Sequence, residues 1–307
     1  MSKLRISVVQ YLNTAPLVRG FTHGALQGKY DLSFTVPSQC AEALRNGAAD
    51  IAIIPAIEYQ RIAAQGRPLR ILPDLAIASK ERVRSLLVIS KVPIRQARCI
   101  ALDPSSRSTQ ALVKILSAKR WKISPEFVDA GPMGHEGENI DAVLARSDAA
   151  LIIGDAALRL AIAAEAQGAR CGPDGQWRVS GEVADAHAQL YFYDVVEEWR
   201  RMTGLPAVLA LWAVRGEIIS PEVVADFLAS RDLGLSQIAE IASETSREMN
   251  LPEKELRFYL EKNIDYSLDA DNIAGLQAFF RESETLELIG PLQTISIADG
   301  ATASRLS

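Results

Sequence analysis

The sequence predicts an α/β fold in two lobes, on three observations. Strand-length apolar runs alternate with amphipathic stretches of helical period, the pattern of a largely parallel sheet flanked by helices. At 307 residues the chain has length for about two domains. Two long apolar runs, at 83–90 and 206–214, bracket a middle segment that repeats the strand–turn–helix theme of the first.

Residues 4–9 read as the first strand, 31–36 as the second and 50–54 as the third. Between the last two, 38–46 read as a helix, with Pro37 before it and Gly47 as its stop. After the run at 83–90 come a strand over 99–102, the turn Asp103-Pro104-Ser105-Ser106 and a helical stretch over 107–120. Residues 149–153 read as a buried strand leading through Gly154-Asp155 into a helix over 156–166. The middle of the chain thus has the material for a second sheet. Residues 168–188 break the rhythm with four glycines, a proline and Trp177, and read as a long surface loop with room for a short hairpin. From Pro221 the pattern turns helical: Ile238, Ile241, Ala242 and Thr245 share one face, as do Leu256, Tyr259 and Leu260, and Ile273, Leu276 and Phe280. The small, polar tail from Asp299 is expected to fray.

One economical arrangement makes the runs at 83–90 and 206–214 the two crossings between lobes. Lobe one is then discontinuous, 1–84 plus 214–307, and lobe two is 85–213. That is the type II periplasmic-binding-protein-like topology, with a ligand cleft between lobes. A single larger sheet satisfies the same periodicity.

Apolar residues make up 48% and charged residues 23% of a chain with net charge −5. This is a globular composition, and without Lys/Arg runs it argues against nucleic acid or an anionic membrane as partner. The N-terminus opens directly into a strand-like run, with no secretory signal pattern, and no window approaches the roughly 20 apolar residues of a membrane span. A cytoplasmic location is expected. Cys40, Cys99 and Cys171 are far apart and lack metal-ligand spacing, so they read as reduced thiols. His23, His135 and His187 form no metal-binding or Ser/Cys–His pattern, and no phosphate-cradling glycine motif follows a strand. No metal or organic cofactor is expected.

The chemistry-bearing residues gather between strands and helices. The turn 103–109 offers Ser105, Ser106, Ser108 and Thr109 at a helix start, where N–H groups and the positive dipole end suit a carboxylate or phosphate. A single serine capping the helix is the plainer reading of the same turn. Asn13 and Thr14 follow the first strand, at the carboxyl end where ligands gather in doubly wound sheets, although either could cap the helix near Ala15. Ser38 and Gly154-Asp155 occupy equivalent places, with capping the plainer role for Asp155. Ser85 stands at the start of the first proposed crossing. The residues alone reach the binding of a small anion in a cleft and stop there.

Taken together, these loops resemble a known family. Asn13-Thr14-Ala15-Pro16 is similar to its Asn-Thr-x-Pro opening; Val36-Pro37-Ser38, Leu44-Arg45-Asn46-Gly47 and 50–55 resemble its next block, with Glu58-Tyr59 following. Ile77-Ala78-Ser79, Val83-Arg84-Ser85 and Ser90 come in the expected order, then the Ser-Arg-Ser-Thr turn over 106–109, the stretch 148–158, Glu198-Trp199, Thr203-Gly204-Leu205-Pro206 and Trp212. Tyr259, Asn263, Tyr266 and Gly275-Leu276 complete the set. The resemblance, spanning nearly the whole chain, is to the menaquinone-biosynthesis family of type II solute-binding fold, which contains the chorismate dehydratases and a paralogue that cyclises dehypoxanthine futalosine. The opening and the 106–109 turn resemble the dehydratase branch. Four departures stand out: Ser108-Thr109 inverts the usual Thr-Ser order, Ala207 replaces a common Phe, Asp194-Val195-Val196 replaces Asp-Leu-Gly, and the 168–188 segment is longer.

The resemblance implies a small-molecule substrate, chorismate, dehydrated to 3-[(1-carboxyvinyl)oxy]benzoate on the futalosine route. It implies Asn13 and Ser85 nearest the reacting atoms, with Thr14, Ser38, the 105–109 hydroxyls and Gly154-Asp155 binding the substrate. A non-catalytic carboxylate binder or sensor, and the cyclising paralogue, are the competing readings.

Overall fold

A computed structural model describes residues 3–131, 140–171, 177–180, 189–216 and 218–298. His135, His187 and the tail from Asp299 lie outside these, as does much of the 168–188 segment. The chain divides into two compact units, Met1–Lys80 with Pro206–Ser307, and Glu81–Leu205.

The first unit opens with β1 (Arg5–Val9), α1 (Ala15–His23), β2 (Asp31–Thr35), α2 (Pro37–Arg45), β3 (Ile51–Pro55), α3 (Ala56–Ala63) and β4 (Leu69–Ser79). β1 pairs in parallel with both β2 and β3. Pro37 at the first turn of α2 needs no N–H partner and presets the helical φ. The pattern of 69–79 is broken by Pro73 and Asp74, whose φ is +54°, so this eleven-residue strand does not read as one run in the sequence.

The second unit contains β5 (Leu86–Ser90), β6 (Cys99–Leu102), α4 (Arg107–Leu116), β7 (Glu126–Asp129), α5 (Ile140–Arg146), β8 (Ala149–Ile153), α6 (Gly154–Ala166), β9 (Arg170–Cys171), β10 (Trp177–Ser180), β11 (Gln189–Asp194) and α7 (Val195–Thr203). Its sheet runs β7-β6-β8-β5-β11-β10-β9. β6 is parallel to β7 and β8, whereas β5 is antiparallel to β8 and β11. Leu87, Ile89, Ile152, Ala157 and Ala161 pack one side of it into a core. Within the 168–188 segment β9 and β10 pair antiparallel, as the short hairpin for which the sequence left room, and β10 joins the sheet antiparallel to β11. The helix expected over 107–120 is α-helical only to Leu116, and a π turn over Ser117–Trp121 closes it.

The chain then returns to the first unit with β12 (Ala207–Arg215), α8 (Pro221–Ser236), α9 (Ile238–Met249), α10 (Glu253–Phe258) and α11 (Ala270–Thr285). β12 inserts antiparallel between β3 and β4, giving the order β2-β1-β3-β12-β4. The apolar run at 206–214 is therefore a central strand of the first sheet, and 86–90 a strand of the second. The division between units falls at 80/81 and 205/206, the second at the start of the 206–214 run.

α1 and α8 pack at backbone contact. A Cβ at Gly234 would meet the Pro16 carbonyl oxygen at 1.9 Å, and one at Gly20 would meet Ser230 Cα at 2.6 Å. Ser230 Oγ accepts from Gly20 N–H and donates to the Leu17 carbonyl, both at 2.9 Å. Phe227 of α8 sits edge-on to Phe21 and Trp212, at 4.9 and 4.8 Å between centroids.

Candidate functional site

In the second unit, β6 and β8 end, and antiparallel β5 begins, at one edge of the sheet. Three of the sequence-derived stretches converge there. Ser85 immediately precedes β5, and its carbonyl accepts the Gly154 N–H at 2.8 Å. Gly154 and Asp155 lie inside the first turn of α6, whose N-cap is Ile153. Asp155 is therefore not the cap expected from the sequence. Gly154 has φ +66°, the left-handed region that glycine enters freely, and it turns the chain sharply from β8 into α6.

The turn 103–109 follows β6 at the same edge. Its hydroxyls are not equivalent. Ser105 donates both N–H (2.8 Å) and Oγ (2.5 Å) to Asp103 Oδ1, an Asx turn. Ser106 is the N-cap of α4 but makes no side-chain cap bond. Its Oγ is instead 2.8 Å from Thr109 Oγ1. Ser108 and Thr109 are fully buried on the helix. The single-serine cap is thus not the arrangement found, and the Ser106–Thr109 pair is the hydroxyl couple at the positive end of α4. Burial pushes the Asp103 carboxyl above its ordinary value, against the hydrogen bonds from Ser105.

In the first unit, β1, β2 and β3 end at one edge. β4 runs in the same sense, since both β3 and β4 are antiparallel to β12. Asn13 and Thr14 lie in a 3-10 turn after β1. Thr14 is buried, Asn13 half-buried, and Thr14 Oγ1 donates to Asn13 Oδ1 at 3.3 Å. Neither side chain caps α1, contrary to the plainer expectation. Ser38 is half-buried in the first turn of α2, whose N-cap is Val36. Ser79, at the end of β4, joins this edge: it is buried, and its Oγ has no hydrogen-bond partner among the described residues. Sequence reasoning had Ser79 only within a resembling tripeptide, because the strand that carries it to the edge was not visible.

His23 ends α1, exposed, with Nδ1 2.8 Å from Thr22 Oγ1. Among the described residues no group of His, Cys, Asp and Glu could hold a metal ion, and no helix is long and apolar enough to cross a membrane. Cys40 and Cys99 are free thiols. Burial pushes the Cys40 thiol up to about 11, which keeps it protonated and unreactive near neutrality.

Comparison with known proteins gives this arrangement a context. A profile described as menaquinone biosynthesis matches residues 4–285. The chain belongs to the menaquinone-biosynthesis family. The chorismate dehydratase of Thermus thermophilus is 28% identical over 275 residues, covering 89% of this chain and 93% of the relative. Among solved structures, a protein of Archaeoglobus fulgidus is similar with a TM-score of 0.67 at 18% identity, over 94% of this chain and 98% of that one. The alkanesulfonate-binding protein SsuA of Xanthomonas axonopodis pv. citri, bound to MOPS, is similar with a TM-score of 0.60 at 16% identity, over 95% of each chain. This member of the menaquinone-biosynthesis family therefore has the two-unit α/β fold of the periplasmic-binding proteins.

Proposed function

We propose that the chain is a chorismate dehydratase, a hydro-lyase that converts chorismate to 3-[(1-carboxyvinyl)oxy]benzoate and water on the futalosine route to menaquinone. The observation that carries this reading is the family match over residues 4–285, supported by the resemblance to the Thermus thermophilus chorismate dehydratase.

The substrate loses its ring hydroxyl and the proton of the adjacent ether-bearing carbon. The product ring is aromatic and the overall change is redox-neutral, so the reaction needs positioning more than a strong base or a cofactor. In this proposal one carboxylate of chorismate sits at the start of α4, against the Ser106–Thr109 pair and the N–H groups of the turn, with Ser105, Ser108, Gly154 and Asp155 shaping that end. Thr14 and Ser38 orient the rest. The substrate's own enolpyruvyl carboxylate takes the ring proton, and Asn13 and Ser85 act at the reacting atoms, polarising the departing hydroxyl and relaying that proton to it so that it leaves as water. Exclusion of water fixes that geometry. The same reading places the protein in the cytoplasm, in keeping with the free thiols Cys40 and Cys99.

The test is to incubate the purified protein with chorismate and follow product by ultraviolet absorbance and mass spectrometry, with dehypoxanthine futalosine in a parallel reaction. Many turnovers to a product one water lighter than chorismate are expected. Binding of chorismate without turnover would establish the sensor reading instead, and turnover of dehypoxanthine futalosine alone would establish the cyclising one.

A further inference from the structure

The residues ahead of Ser85 are held in an unusual way. Arg84 has φ +63°, a left-handed conformation that residues with a Cβ rarely adopt and that persists only where the surroundings impose it. The Asp194 carboxylate, 2% exposed, supplies the main restraint. Its Oδ2 accepts the Arg84 N–H at 2.6 Å and the Val83 N–H at 3.1 Å, the latter shared with Oδ1 at 3.3 Å. Its Oδ1 accepts from Val196 and Glu197 at 3.0 and 3.1 Å, capping α7. A helix cap needs one oxygen; here the second is given to a loop 110 positions earlier in the chain. Arg82 balances the buried charge from 3.7 Å, and both Arg82 and Arg84 pair with Glu165 of α6, at 2.9 and 2.5 Å. On the far side of this loop the Ser85 carbonyl is fixed by Gly154 N–H.

We infer that Asp194 is a positioning residue for the proposed reaction: by holding the Arg84 peptide left-handed it sets the direction in which Ser85 presents its hydroxyl. The inference rests on the dehydratase reading for its consequence in turnover, but the clamp itself is testable without it. A flip of the Arg84 peptide redirects the residue that follows, and an error of about 1 Å in a reacting group is enough to cost on the order of a hundredfold in rate.

A cap alone and a clamp make different predictions for Asp194→Asn. Asparagine caps helices about as well as aspartate, so a cap alone leaves both stability and kcat near wild type. The clamp predicts the loss of one of the two oxygen acceptors, a fall in kcat of about tenfold to a hundredfold with KM changed less than about threefold, and hydrogen exchange at Arg84 N–H faster by about tenfold or more. A second pair of variants leaves Asp194 in place. Arg84→Asn and Arg84→Val both remove the pairing with Glu165, but asparagine tolerates a positive φ and valine does not, so Arg84→Asn is expected to keep at least about ten times the kcat of Arg84→Val. Unchanged exchange at Arg84 in Asp194→Asn overturns the clamp whatever the protein catalyses. A wild-type kcat in Asp194→Asn, or equal kcat in the two Arg84 variants, overturns its role in turnover. Faster exchange in a protein whose wild type leaves chorismate intact would keep the clamp and sink the dehydratase reading.

Discussion

At the scale of single residues, the hydroxyls that look alike in sequence are separated by their partners. Ser105 is committed to Asp103 and Ser108 is buried on the helix, while Ser106 and Thr109 form a couple at the start of α4. Ser106→Ala should therefore weaken chorismate binding by about 1.5 kcal/mol, roughly tenfold in KM, as expected for a hydrogen bond to a charged group, with little change in kcat. A KM equal to wild type would remove the turn from the binding surface. Asp50 shows a residue whose role is stability. The side-chain hydrogen bonds of Arg5 hold its carboxyl below the usual carboxylate range. Its contribution is therefore fully present above the unfolded-state value near pH 4 and disappears as pH falls through the depressed folded-state value. In urea titrations the stability gap between wild type and Asp50→Asn should narrow as pH falls from about 5 to about 2; a gap independent of pH would contradict this. Asp194 marks the limit of what a sequence discloses at this scale. Its partners lie 110 and 111 positions away, and no local pattern links an Asp before a helix to a loop in another part of the chain.

At the scale of elements, legibility followed continuity of the apolar pattern. β1, β3, β6 and β8 carry continuous apolar runs and β2 an alternating one, and these read as strands in the sequence, some with edges within a residue or two, whereas the run that forms β12 reads there as a crossing between lobes. β4 was hidden because Pro73-Asp74 breaks its run and adds residues opposite β12 between Ile71 and Ala76. β10 was obscured by the glycines around it. The strand ends that carry Asn13, Ser38 and Gly154 were legible because parallel strands bring turns to their carboxyl edges; Ser85 instead precedes the antiparallel strand β5, and Ser79 was not legible, since its strand was not. The α1–α8 contact is likewise a tertiary fact. Gly234 permits the Pro16 backbone to approach, and a Cβ there would stand 1.9 Å from the carbonyl oxygen. Gly234→Ala should lower stability by roughly 1–3 kcal/mol or more through overpacking, despite alanine's better helix propensity. Denaturant titration of the variant checks this, and a midpoint at or above wild type would show that the helices separate without strain.

At the scale of the molecule, one chain builds two units of similar plan, the first interrupted by the whole of the second. Each presents a sheet edge to which short turns bring hydroxyl and amide groups and the starts of helices, an arrangement suited to small anions. This fold is shared with an alkanesulfonate-binding protein, so architecture does not distinguish holding an anion from transforming one. That distinction belongs to the residues at the edges, and the family match gives it a direction. The most direct test is steady-state kinetics on chorismate with wild type, Asn13→Ala and Ser85→Ala, each first shown to be folded. The account predicts conversion to 3-[(1-carboxyvinyl)oxy]benzoate by the wild type and a fall in kcat of about tenfold to a thousandfold in each variant, about 1.4–4 kcal/mol. A wild type that leaves chorismate unchanged, or two variants that turn it over at the wild-type rate, would contradict it.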